Sequence, residues 1–180
     1  HNTQTLAYVT NQNSKSISVI DLATNRVIDT IFVELYPRGI ALSHDETQAY
    51  VANSDSGTVS VIGLDNNAVI ESIRVGDFPY TLAIDPTGMY TYVANLSSQT
   101  ISIINNSYEV VDTLSIKTEP LDLALTPDGK FLYIAPFFAS QLLIVDLTSR
   151  KVVNSIPFPK RSLLRRIAIA PDGSRAYVTN

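Results

Sequence analysis

Few residues in this chain are of a type that does chemistry, and their spacing keeps most of them apart. Among 180 residues there are two histidines, His1 at the terminus and His44, and no cysteine. A zinc-type site gathers three or four imidazole, thiolate or carboxylate ligands at one point, so none is readable here, and cysteine-based mechanisms are excluded. His44 stands directly before Asp45 in a run of turn residues and reads as a solvated turn residue. Carboxylates recur at Asp45, Asp128 and Asp172, and again at Asp29, Glu71 and Asp112. Because each set occupies one position in successive repeats, its members lie on different structural units, too far apart for a paired-carboxylate glycosidase site. They read as turn formers and solubilising charges. Only 7 glycines occur, with no phosphate-cradling loop among them. No catalytic residue, cofactor site or metal site is therefore expected. Asn95-Leu96-Ser97 and Asn105-Asn106-Ser107 match the glycosylation sequon, a short pattern of low specificity.

The residues that could recognise a partner are aromatic and basic. Pro136-Phe137-Phe138-Ala139-Ser140 stands where other repeats carry a polar loop, and Leu143 stands where they carry Ser18, Ser60 and Ser102. The connection that follows is longer: Val152 to Ala168 spans 16 residues, against 14 for Val27 to Ala41, Val69 to Ala83 and Val110 to Ala124. That longer connection contains Lys160, Arg161, Arg165 and Arg166. In the architecture argued below, Tyr36, Arg38, Phe78, Tyr80, Phe137, Phe138, Phe158, Lys160, Arg161, Arg165 and Arg166 fall on loops of one face. Guanidinium groups beside aromatic rings make recognition surfaces through stacking, cation–π contact and bidentate hydrogen bonds. The plainer alternative is that Phe covers a blade edge and the charges are solvated.

A repeat must position these residues. A four-residue phrase returns at Tyr8 to Asn11, Tyr50 to Asn53, Tyr92 to Asn95, Tyr133 to Pro136 and Tyr177 to Asn180, at intervals of 42, 42, 41 and 44 residues. Each repeat reads as four short strands. The inner one carries an alternating apolar pattern around Ala41, Ala83, Ala124 or Ala168, a small residue where sheets converge on an axis. Turns such as Asp85-Pro86-Thr87-Gly88 and Thr126-Pro127-Asp128-Gly129 then lead to the tyrosine phrase. Third strands run over 17–21, 59–63, 101–105 and 142–146. Outer strands rich in β-branched residues cover 27–33, 69–75, 110–116 and 152–158. The Asn that closes the tyrosine phrase is expected to bond the backbone of the loop after it. A period near 40 built from short strands predicts an all-β β-propeller of four-stranded antiparallel blades.

The pattern resembles the YVTN family of β-propeller repeats, of the surface-layer type, on Tyr8-Val9-Thr10-Asn11, Tyr177-Val178-Thr179-Asn180, the inner-strand alanines and the Pro-Asp-Gly turns. That resemblance implies an extracytoplasmic protein of the cell surface or periplasm with about seven blades. The chain reads as one domain, 1–180, with repeats near 1–38, 39–80, 81–121 and 122–165 and a partial one at 166–180. That is about four blades' worth of a larger ring. A closed four-blade ring with a spare strand, and two chains completing each other, stay open as alternatives.

Charge divides unevenly. Residues 1–149 carry 6 Lys or Arg against 16 Asp or Glu, whereas residues 150–180 carry 7 basic residues against Asp172 alone. In a stacked-repeat protein, charge separated along the chain becomes charge separated in space. No apolar run approaches the ~20 residues of a membrane-spanning helix. Residue 1 is His rather than Met, which implies a start made by processing or engineering. Three functions compete. The first is a non-catalytic binding or scaffold module of the cell envelope, holding an acidic protein or polysaccharide, or less fittingly a nucleic acid, on the aromatic and basic face. The second is a structural surface-layer module that assembles through complementary charged sectors. The third is a hydrolase or cyclase of the lactonase kind.

Overall fold

A computed structural model describes residues 5–180, so His1 lies outside the described residues; among these there are seventeen strands and no helix. The first blade holds β1 (Leu6–Asn11), β2 (Ser16–Asp21) and β3 (Arg26–Phe32). The second holds β4 (Pro37–Leu42), β5 (Gln48–Asn53), β6 (Thr58–Gly63) and β7 (Ala68–Arg74). The third holds β8 (Pro79–Ile84), β9 (Tyr90–Asn95), β10 (Thr100–Asn105) and β11 (Val110–Ser115). The fourth holds β12 (Pro120–Leu125), β13 (Phe131–Pro136), β14 (Gln141–Asp146) and β15 (Lys151–Pro157), and the fifth β16 (Arg166–Ile169) and β17 (Ala176–Thr179). Every sheet is an antiparallel meander in chain order. This is the β-propeller architecture, with three complete four-stranded blades between two partial ones.

Period-2 alternation explains how blades stack. In β5, Ala49 and Val51 pack against the first blade while Tyr50 and Ala52 pack against the third, and all four are buried. Side chains on both faces are therefore apolar, as a sheet covered on both sides requires, and each fully buried Val or Ile contributes roughly 1.5–3 kcal/mol. Four apolar clusters fill the four spaces between consecutive blades. Among the described residues none joins the fifth blade to the first, so the blades form an open arc. Val9, on the uncovered face of the first blade, is 44% exposed, whereas its equivalent Val51 is 0% exposed.

Inner strands touch most closely at Gly39. A Cβ there would lie 2.8 Å from Thr81 Cα and 3.0 Å from the Tyr80 carbonyl oxygen, so only glycine lets β4 approach β8. At the outer rim each third-to-fourth strand pair is bulged, between Val19 and Ile20, Val61 and Ile62, Ile103 and Ile104, and Ile144 and Val145. A bulge twists an edge strand and spoils it as a template for pairing with another chain.

Candidate binding face

Tyr36 and Phe78 occupy the same place in successive repeats, each just before the proline that opens an inner strand, and both take left-handed backbone angles, φ 59° and 55°. Such angles are unusual for bulky residues and are held here by the neighbouring loop. The Ser54 amide donates to the Tyr36 carbonyl at 3.0 Å and the Leu96 amide to that of Phe78 at 2.9 Å. Outer-to-inner connections and second-to-third loops therefore share a face, as the repeat geometry predicts. Arg38 and Tyr80 follow the prolines, again at equivalent positions, and adjacency of β4 with β8 brings all four side chains together. The Arg38 guanidinium carbon lies 4.8 Å from the Tyr36 ring centre, 5.4 Å from Phe78 and 4.6 Å from Tyr80.

Among the described residues Arg38 has no carboxylate partner, and its Nε is buried with no hydrogen-bond acceptor. Its carbonyl is fixed by the Thr10 hydroxyl, which donates at 2.8 Å. Three rings thus orient a half-buried cation through cation–π attraction while leaving its hydrogen-bonding capacity unmet. Such a group can accept a planar anion.

A second cluster forms at the position equivalent to Arg38 in the fifth blade. There the Arg165 guanidinium lies 5.2 Å from the Phe137 ring, which stands 3.8 Å from that of the exposed Phe138 at a tilt of 46°. The Phe137 amide donates to the Glu119 carbonyl at 2.7 Å, tying its loop to the same face. Two residues anticipated for this surface are engaged in contacts between blades. Phe158 packs into the apolar space between fourth and fifth blades beside Ala124, Tyr133 and Val178. Arg166 pairs with the nearly buried Asp122 at 3.3 Å, and the same carboxylate accepts the Ile167 amide at 2.9 Å, so both serve blade packing. Lys160 and Arg161 are exposed on the longer connection, without ion pairs among the described residues. That loop is anchored by Leu164, fully buried where other repeats have proline.

Several polar residues behave differently from expectation. Asn53 and Asn95 do not bond the following loop through their side chains. Their Nδ2 atoms donate to hydroxyls on the next strand, Thr58 at 3.1 Å and Ser60 at 2.8 Å for Asn53, Thr100 at 3.1 Å and Ser102 at 2.8 Å for Asn95. The fourth repeat replaces both halves of this buried pair, with Pro136 and Leu143, which removes donor and acceptor together and leaves neither unsatisfied. Asn95 is therefore buried and bonded, and cannot carry a glycan. The outer-strand acids also do more than solubilise: Asp29 accepts from Asn67 Nδ2 at 2.8 Å and Asp112 pairs with Arg150 at 2.9 Å, each reaching the next blade. By contrast Asp45, Asp128 and Asp172 each bond the backbone amide two residues on, the turn role their spacing indicated.

No protein-family model and no curated protein matches the chain. Among solved structures it is similar to Kuenenia stuttgartiensis hydrazine synthase, with a TM-score of 0.92 at 28% sequence identity over 96% of this chain and 51% of that one. The chain spans about half the length of that protein. The likeness agrees with the β-propeller read from the repeat.

Proposed function

We propose that this chain is a non-catalytic binding module that holds an acidic partner, a polysaccharide or an anionic protein, on the face carrying Arg38 and Arg165. One observation carries the reading: a guanidinium held by three aromatic rings with no acid among the described residues to neutralise it. Orienting an arginine in advance lowers the entropy lost when it forms a bidentate pair with a carboxylate or sulfate. Lys160 and Arg161 add unpaired charge to the same face. The non-catalytic part of the reading is supported by the carboxylates, most of which are committed to turns or to ties between blades. Hydrazine synthase is named for an enzyme activity, but no residue here is tied to it. A location outside the cytoplasm, at the cell envelope, rests on the likeness to YVTN repeats alone.

Binding to polygalacturonate, with neutral dextran as control, tests the reading. Arg38→Ala is expected to weaken binding about tenfold or more, a loss of ~1.4 kcal/mol. Added salt is expected to weaken it further, since exposed charges are screened within roughly 10 Å at 0.1 M. Unchanged affinity in Arg38→Ala and in Arg165→Ala, or equal binding to dextran, overturns it.

A further inference from the structure

The inner hairpin turns, on the face opposite Arg38, repeat a contact that fails at one place. Where Pro86 meets the fourth blade, its Cδ would lie 3.4 Å from a Cβ on Gly129, and Pro127 Cδ would lie 3.5 Å from one on Gly173. Proline on glycine thus closes the junction between third and fourth blades, and between fourth and fifth. Between second and third blades the proline is His44, and a Cβ on Gly88 would meet nothing within 4 Å. A cavity of about 320 Å³ opens there. The imidazole spans part of the gap: its Nε2 donates to the Asp85 carbonyl at 2.9 Å, which leaves Nδ1 without a protein partner.

The lining is polar and fixed in advance. The Gln48 carboxamide is held at both ends, donating to the Tyr108 hydroxyl at 2.6 Å and accepting from the Tyr50 hydroxyl at 3.1 Å. Asp45 takes three hydrogen bonds on Oδ1, from the Ser43 and Thr47 hydroxyls and the Thr47 amide, while Oδ2 meets no donor among the described residues. Thr87 and Asn106 add a hydroxyl and a carboxamide from the third blade, while Ile84 and Met89 supply apolar wall.

From this geometry we infer a second binding site, for a neutral sugar residue of hexose size, between the second and third blades. A volume near 300 Å³ stands at the small end of ligand pockets and admits one ring. Hydroxyls both donate and accept, and so does this mixture of carboxamides, hydroxyls and a lone carboxylate oxygen. The apolar wall of Ile84 and Met89 suits the C–H face of a pyranose. A single carboxylate with no arginine or lysine opposes an anionic ligand. The site is independent of Arg38, so failure of either reading leaves the other standing.

Ligand-observed NMR with glucose, galactose and N-acetylglucosamine tests it, with choline as a cationic competitor for Asp45. At least one sugar is expected to bind the parent chain. His44→Pro, which copies the closure used at the other two junctions, is expected to weaken that binding by about tenfold or more. The His44 amide donates to no acceptor among the described residues, so the substitution breaks no such bond. Gln48→Ala, which keeps the turn intact, is expected to show the same loss, whereas Arg38→Ala leaves sugar binding unchanged. Absence of binding by all three sugars, equal binding by the parent and Gln48→Ala, or binding of choline in their place, overturns the inference.

Discussion

Tyr92 shows how a single side chain carries pH dependence. Its phenol is buried, and desolvation with a smaller contribution from Asp85 pushes its pKa from 10.0 to about 12. A folded value above the unfolded one means that the native chain holds its proton longer. The associated stability is complete below pH 10 and is lost as pH rises towards 12, roughly 1–3 kcal/mol in all. The thermal midpoint is expected to fall between pH 10 and 12, and to fall less in Tyr92→Phe; identical slopes in the two proteins refute this. Acid acts through other groups. Asp112, beside Arg150, and the turn acids Asp45, Asp128, Asp146 and Asp172, which accept local hydrogen bonds, all lie below the ordinary carboxylate value of 3.8. Their contributions are present above that value and disappear as pH drops through their folded values. Ser102→Ala removes an acceptor from the buried Asn95 amide, and about 1–3 kcal/mol of stability is expected to go with it in urea denaturation. This amide-hydroxyl pair escaped the sequence reading because the register, which pairs Asn95 with Thr100, is what sets Ser102 diagonally opposite Asn95 on the next strand.

Strands, and the pairs they form, set how closely blades approach. Gly39→Ala would place a methyl group against the backbone of β8, which cannot yield as a side chain can, and a cost of about 1–3 kcal/mol is expected. A variant as stable as the parent by urea midpoint would show that β4 and β8 have room to part. Arg150→Ala breaks the tie from the third to the fourth blade, but both partners are partly exposed, so its cost is expected to stay below about 1 kcal/mol. Tight contact therefore outweighs surface charge in joining blades. The strands themselves were legible to within a residue or two, because β-branched alternation and turn residues bound them. Their bulges were not: Ile28, Ile70, Val111 and Val153 continue the apolar pattern, and only pairing reveals which residue lacks a partner.

Across the whole arc, one repeat position has different neighbours at its ends and in its middle. Val51→Asp would bury a charge between two blades and is expected to unfold the chain or cost more than about 3 kcal/mol. Val9→Asp sits at the equivalent place on the uncovered face and is expected to stay within about 0.5 kcal/mol of the parent. If Val9→Asp proves as damaging as Val51→Asp, the first blade's outer face is covered in solution. The proposed recognition surface also belongs to this level, since Arg38, Tyr80 and Arg165 stand at or just before the starts of three inner strands, those of the second, third and fifth blades.

The amino-acid order alone determined the blade, its four strands and the number of copies, because period-2 apolarity and turn chemistry act within about 40 residues. It also determined which loops share a face. Folding in three dimensions decided what each polar side chain does there. Arg38 gained three rings, Arg166 was claimed by Asp122, and His44, still an exposed turn residue, also reached the Asp85 carbonyl of the next blade beside a cavity. Those outcomes depend on contacts between residues 38 and 80, 122 and 166, or 44 and 85. They join neighbouring blades, and a pattern local to one repeat holds no information about the side chain that the next repeat will present.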